Sequence, residues 1–340
     1  MRTAADRPDR LTESPRHRSW LLGLGVSLVA LAFAVQGTDW RSFLGLLTEG
    51  AYALLVPAYL LQLTGIALRA EGWRSLLGPS VRFGTVFAAI NEGYLLNNLL
   101  PFRLGELGRA YLVGRASGIG ASRSLGSIAV ERLTDLAIAV LSLLVAFALH
   151  APPIWASRTA IMASAVVVVG VGGVWLVLAR RDVVLGRLRR LPGRLASRVA
   201  GMLERFVSGL DEARQGGRVP RALAWLLLGW ACAWIQFELY LRLFGATGSI
   251  VVSLFGLAAI ALGGAVPSSP GAIGVYELAG VTALTFLGYT REVALGVSLA
   301  GHAVQYSLTV VLGSIALSRE GRSIGDLARA ARRLVARPVD

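Results

Sequence analysis

The sequence predicts an all-α fold, a polytopic helical bundle embedded in a membrane, and three observations carry the prediction. Of the 340 residues, 55% are hydrophobic and only 16% are charged, against roughly 25% charged in a soluble domain. The mean hydropathy is +0.62. Apolar runs near 20 residues recur along the chain, with arginines gathered between them, and about 20 apolar residues are what a helix rising about 1.5 Å per residue needs to cross the hydrocarbon core.

Taken in order, the runs are 20–36, 51–68, 128–149, 158–179, 222–244, 249–266, 274–289 and 293–317. That makes about 8 transmembrane helices, the 274–289 run being short. The first follows an Arg-bearing stretch and could be taken for a signal peptide. No small-residue cleavage site precedes a soluble domain, however, so it reads as a retained anchor. Arginine is held on the cytoplasmic side during insertion. Five Arg lie in 1–19, three in 69–82, two in 114–127, eleven in 180–221 and six in 318–340, while the opposite loops hold three in all. The expected arrangement is a multi-pass protein of the cell inner membrane with both termini cytoplasmic. It divides into an N-terminal tail 1–19, a membrane domain 20–317 and a C-terminal tail 318–340.

Residues 83–114 do not fit as spans. Arg82 and Arg115 belong to the same side, yet only 32 residues separate them, and two crossings need about 40. A re-entrant helical hairpin breaking near Pro101 fits better. Within the Arg-rich connection 180–221, Leu195, Val199, Leu203, Phe206 and Leu210 recur at helical spacing, with Arg194, Arg198 and Arg205 between them. This amphipathic segment is expected to lie on anionic inner-leaflet lipids.

Composition excludes several functions. The net charge is +14, all 34 basic residues are Arg, and Gly numbers 40; the pI is near 11.2. Such usage reads as a GC-rich coding bias. With no zinc-finger spacing and no basic patch interleaved with aromatics, no nucleic-acid partner is expected. The lone Cys232 and three scattered histidines, His17, His150 and His302, predict neither a disulfide nor a metal, and no cofactor is implied. A Walker GxxxxGK[ST] run is absent, which argues against direct ATP drive.

Two polar stretches interrupt the apolar background, NNLLPFRLGELGR at 97–109 and GGAVPSSPGAIGVYE at 263–277. Each has Pro followed four residues later by Gly, Pro101 with Gly105 and Pro267 with Gly271, and a Glu close behind. This hints at an internal repeat with a broken helix in each half, the breaks falling at Pro101, Gly105, Pro267, Pro270 and Gly274. Half-helix N-termini offer free N–H groups to an anionic oxygen, and Ser269 is placed to cap a helix whose first residue is Pro270. The bland alternative is that Pro and Gly only kink two helices for packing.

The intramembrane charges are Glu92, Arg103, Glu106, Arg109, Glu131, Arg132, Asp135, Glu238, Arg242 and Glu277. Each costs about 2.5 to 3.5 kcal/mol at mid-membrane if unpaired, so they must face one another or a wet cavity. Glu106 with Arg109, Arg132 with Asp135, and Glu238 with Arg242 stand three or four apart, on one helix face each. The last pair, near a helix end, reads as structural. Arg103, Glu131 and Glu277 still need partners.

Asn98, Pro101, Arg103, Gly105, Glu106 and Arg109, followed by ERLTD at 131–135 and PGAIGVYE at 270–277, resemble the signature of the flippase-like transmembrane domain of lysylphosphatidylglycerol synthases. The resemblance spans roughly residues 15–320. It implies a helical domain with re-entrant segments that moves a lipid headgroup between leaflets. The roughly 22 residues after the last run are too few for the aminoacyl-transferase domain of the synthases, so synthesis of lysyl lipid is not expected.

The resulting expectation is a flippase for a phospholipid or a polyprenyl-phosphate-linked lipid. Asn98, Arg103, Arg109, Arg132, Ser269 and Gly271 would bind substrate, because guanidinium forks and free N–H groups suit phosphate. Glu106, Glu131, Asp135 and Glu277 would gate or carry protons. The chain is expected not to be an enzyme; the first outward loop, where polyprenyl-phosphate-sugar glycosyltransferases tend to place acidic residues, offers only Asp39 and Glu49. The alternatives are an intramembrane enzyme acting on such a lipid and a membrane scaffold. Homo-oligomerisation is left open.

Overall fold

The computed structural model describes residues 15–100, 104–150, 180–190, 204, 217–264, 269–326 and 329. The described residues form helices and connecting turns, with no strand among them: α1 Pro15–Val35, α2 Trp40–Glu49, α3 Leu55–Leu77, α4 Phe83–Leu99, α5 Leu104–Ala116, α6 Ala121–His150, α7 Arg181–Arg190, α8 Arg218–Leu243, α9 Ile250–Gly263, α10 Val275–Phe286 and α11 Arg291–Arg319. The all-α helical bundle is as expected. Several starts are set by local chemistry, since the side chains of Asp39, Ser249 and Thr290 accept the N–H groups of Arg41, Val252 and Val293 at the heads of α2, α9 and α11, each satisfying a donor that the helix leaves orphaned.

The most extensive packing is between α3 and α8, and small residues make it. A Cβ on Gly65 would stand 3.8 Å from the Gly229 carbonyl, and one on Gly72 would stand 3.2 Å from Leu226 and 3.4 Å from the Ala222 carbonyl. Two turns earlier on α3, the Ala58 carbonyl accepts from Gln236 Nε2 at 2.9 Å. Ala58, Gly65 and Gly72 thus meet Gln236, Gly229 and Ala222 in an antiparallel seam with seven-residue steps. Small residues let backbones approach where lipid offers no hydrophobic incentive for association. The outward faces are apolar: Val56 and Leu60 of α3, Leu141 and Leu149 of α6, Ile235 of α8 and Val311 of α11 are all exposed, an arrangement suited to contact with lipid tails.

Among the described residues, four helical stretches are long and apolar enough to cross a membrane, Tyr52–Leu77, Arg123–Leu149, Arg218–Leu243 and Arg291–Arg319, and the pair Gly23–Val35 and Trp40–Glu49 adds a fifth if its 85° bend falls within one span. The 249–266 and 274–289 runs become helices of 14 and 12 residues. The 158–179 run lies outside the described residues. The run assigned to 51–68 continues to Leu77, because its first breaker is Gly78 (φ 107°), followed by Pro79. Arg69 and Arg74 therefore belong to a helix, not to a loop. The last helix likewise runs to Arg319, two residues past the expected end of the membrane domain at 317.

Residues 83–114 do form two short helices. α4 and α5 are 17 and 13 residues long and pack back to back, with Asn97 Oδ1 accepting the Gly105 N–H at 2.8 Å and Gly93 facing Arg109. The contact demands glycine: a Cβ on Gly105 would fall 1.8 Å from the Gly93 carbonyl oxygen.

Candidate functional site

A cluster of six charged side chains sits where α3, α5 and α6 meet. On α6, Glu131 and Asp135 stand one turn apart and face α3, where Arg69 bridges them at 2.8 and 2.7 Å. Glu131 also receives Arg109 of α5 at 3.0 Å and its neighbour Arg132 at 2.5 Å. Glu106 pairs with Arg109 at 2.5 Å, and Arg132 reaches Asp135 at 3.3 Å. Three guanidinium groups and three carboxylates balance, which allows the group to persist away from water. Two tryptophans close it: the Trp73 ring lies 4.6 Å from the Arg109 guanidinium carbon, and Trp230 Nε1 of α8 donates to Asp135 at 3.0 Å.

Exposure separates the three arginines. Arg109 is 1% exposed and Glu131 is fully buried, whereas Arg69 is 22% and Arg132 36% exposed. In this conformation Arg109, expected to bind substrate, is sealed between Glu106, Glu131 and Trp73. Arg132 is the most exposed cation of the group, though it pairs with Glu131, Asp135 and, at 3.9 Å, Glu106, and its buried Nε has no hydrogen-bond partner among the described residues.

The second break is built differently from the expectation. Ser269 does precede Pro270, but the helix that follows is a three-residue 3-10 turn, Pro270–Ala272, and the Ser269 side chain caps nothing. Its N–H donates to Ser27 Oγ of α1 at 2.9 Å. The α-helix starts at Val275, with Gly271, Ala272 and Gly274 all at positive φ. Gly274 is pressed against α1, where a Cβ would lie 2.2 Å from the Ser27 carbonyl oxygen. Glu277 reaches back to accept the Gly274 N–H at 2.6 Å, the carboxylate half of a capping box.

The partner that Glu277 needed is His302 of α11, with Nδ1 2.5 Å from Glu277 Oε1 and Nε2 2.9 Å from the Gly271 carbonyl oxygen. Tyr276 stacks on the imidazole with ring centroids 4.5 Å apart, and Tyr306 meets it edge-on. One turn on, α11 also holds the first break: Tyr306 donates to the Asn98 carbonyl at 3.3 Å, and Asn98 Nδ2 donates to Thr309 Oγ1 at 2.9 Å. The 270–272 turn packs on α4. The two polar stretches are thus brought together on one helix.

The three expected pairs form, including Glu238 with Arg242 at 3.0 Å. Pro101, Arg103 and Pro267 lie outside the described residues, as does most of the 191–216 segment. Glu92 is buried with neither oxygen hydrogen-bonded among the described residues, and Arg322 is 3.7 Å away. Sequence reasoning missed Arg69 and His302. The signal for Arg69 was the lack of any helix breaker before Gly78. His302 gave no local signal, since its partner is 25 residues away.

Comparison with known proteins adds two findings. The family described as the lysylphosphatidylglycerol synthase TM region matches residues 20–313. The glycosyltransferase AglD of Haloferax volcanii is 28% identical over 333 residues, covering 86% of this chain and 53% of the relative; the chain spans about half the length of that relative. This corrects the expectation that the chain is not an enzyme, because a protein so similar over most of the chain carries the name of an enzyme. The expectation had rested on the sparse acidic residues of the first outward loop. There Asp39 caps α2, and its N–H donates to Glu292 at 2.9 Å. With four to five candidate spans among the described residues, two helix breaks on a common helix and a match over residues 20–313, the chain is a multi-pass membrane protein that belongs to the lysylphosphatidylglycerol synthase transmembrane-region family.

Proposed function

We propose that the protein binds a phosphate-bearing lipid, a phospholipid or a polyprenyl-phosphate-linked lipid, and carries its headgroup between leaflets. The observation supporting this is the convergence of both helix breaks on α11 beside a buried, charge-balanced cluster that leaves Arg132 accessible. Interrupted helices at the midplane are the usual place for a transporter's substrate. Arg132 makes the first contact with the phosphate, joined by Arg103, Asn98 and the backbone at Ser269 and Gly271. Arg109 joins only when the cluster opens. Glu106, Glu131 and Asp135 hold the arginines while the site is empty. Arginine placement supports a cytoplasmic position for both termini in the cell membrane.

The test uses vesicles carrying purified protein and a lipid with a quenchable headgroup. Arg132→Gln is expected to cut lipid affinity about tenfold or more, the loss of a charge-assisted hydrogen bond, and Arg132→Lys to restore part of it, since an ammonium lacks the fork. Unchanged binding and flipping in Arg132→Gln would remove the support that the cluster lends to this reading.

A second reading is favoured by the glycosyltransferase relative: the same cluster holds a polyprenyl phosphate while a sugar is transferred to or from it, with a carboxylate of the cluster as general base. Transfer of labelled sugar from a nucleotide donor into the lipid fraction, dependent on the purified protein and abolished by Glu106→Gln, would favour it over transport alone.

A further inference from the structure

We propose that Glu277 and His302 form a one-proton binding site that locks the 269–274 break onto α11, and that loss of the proton frees the break. This deepens the lipid-transport reading and rests on it, naming the ion to which lipid movement is coupled. The inference follows from counting hydrogens. The Gly271 carbonyl can only accept, so His302 Nε2, 2.9 Å away, must carry a hydrogen. Nδ1 faces Glu277 Oε1 at 2.5 Å, so one hydrogen must also lie between these two atoms. The unit therefore holds one proton more than a carboxylate beside a neutral imidazole, either as imidazolium with carboxylate or as imidazole with carboxylic acid.

When that proton leaves for water, a single imidazole hydrogen remains for two acceptors. If it stays on Nε2, a nitrogen lone pair confronts the carboxylate. If it moves to Nδ1, the Gly271 carbonyl loses its donor. In both cases one of the two links between α11 and the 269–277 segment fails. The segment is held otherwise by the Ser269 N–H to Ser27 and by Glu277 on the Gly274 N–H. Gly271, Ala272 and Gly274 sit at positive φ, a conformation that costs free energy for Ala272 unless contacts hold it.

The groups facing the pair are Tyr276 of α10, stacked on the imidazole, Tyr306 of α11 and Tyr240 of α8, which reaches Gly301 beside the Tyr276 hydroxyl. α1 contributes Ser27, and α4 contributes the Asn98 carbonyl through Tyr306.

Two substitutions separate the states. In Glu277→Gln the amide N–H donates to Nδ1 and its oxygen accepts from Gly274, so both links survive with a neutral imidazole and no exchangeable proton. His302→Phe keeps an aromatic ring against Tyr276 but removes both links. A nitroxide on Ile273→Cys, an exposed position, in a Cys232→Ser chain reconstituted without added substrate reports the mobility of the break. In the otherwise unaltered chain the ratio of mobile to immobile signal is expected to rise roughly tenfold from about pH 5 to about pH 9, the scale of one lost hydrogen bond to a charged group. Glu277→Gln should stay immobile throughout, and His302→Phe mobile throughout. A flat response in the unaltered chain, or a Glu277→Gln response that follows it, overturns the proposal even if His302→Phe does not fold. A protein that shows the pH response but moves no lipid in vesicles keeps the proton site and overturns the transport reading; one that moves lipid with a flat response does the reverse.

Discussion

Glu131 is the hub of the charged cluster, and its neutralisation gives a quantitative test of whether the arginines are held or spare. The carboxylate is fully buried and takes Arg69, Arg109 and Arg132 at 2.8, 3.0 and 2.5 Å. At an effective dielectric constant near 20, each contact is worth roughly 5 to 7 kcal/mol before desolvation is subtracted. Glu131→Gln leaves three cations facing two carboxylates. Removing one partner of a buried pair typically costs about 3 to 5 kcal/mol, because the remaining charge is stranded. Arg109→Met alone strands a carboxylate and should cost a similar amount. In the double variant the balance returns to two against two, Arg69 and Arg132 with Glu106 and Asp135, so the double loss should fall short of the summed single losses by about 2 to 3 kcal/mol. The assay is equilibrium unfolding in mixed micelles followed by tryptophan fluorescence, which Trp73 and Trp230 report from the cluster itself. Strict additivity would refute the reasoning: Arg109 would then be energetically separate from Glu131 and free for substrate in the resting state.

The small-residue seam predicts that Gly65→Leu is destabilising by about 1 to 3 kcal/mol through overpacking, whereas Gly65→Ala is tolerated because its Cβ stands 3.8 Å from the nearest atom; thermal unfolding of both variants in detergent checks this. Gly105→Ala should separate α4 from α5, since its Cβ would lie 1.8 Å from the Gly93 oxygen, and is expected to give misfolded protein or none in membrane extracts. For topology, cysteines at Ser80, Ala116 and Leu99 in a Cys232→Ser chain are labelled from each side. A re-entrant hairpin predicts that Ser80 and Ala116 react from one side and that Leu99 does not react from the opposite side alone.

Class and helix content are legible in the chain because they are one-dimensional, and helices do stop and restart near both Pro–Gly stretches, at Leu99 and Leu104 and before Val275, although Gly105, expected to be a break, falls inside α5 because it packs on Gly93. Length of apolar run, clustered arginine and proline–glycine punctuation all act within about 20 residues, and the pairs three or four apart follow from helix periodicity alone. Span limits were less legible at 51–68, where Arg69 looked like a flank; a charged residue continues a helix when partners from other helices, here Glu131 and Asp135, receive it. Ser269 does stand at the N-cap position before Pro270, but the turn there is 3-10 and its side chain makes no capping bond, where α1 presses on nearby Gly274.

What the sequence determined by itself is that this protein lives in a membrane, that its charges must meet inside it and that two of its helices are broken. Only the tertiary structure decided which charges meet. The free energy of pairing a buried charge depends on distance and on exclusion of water, and both are set by how helices far apart in sequence pack. Arg109 is therefore sealed while Arg132 stays open, and Glu277 is answered by a histidine 25 residues further along the chain.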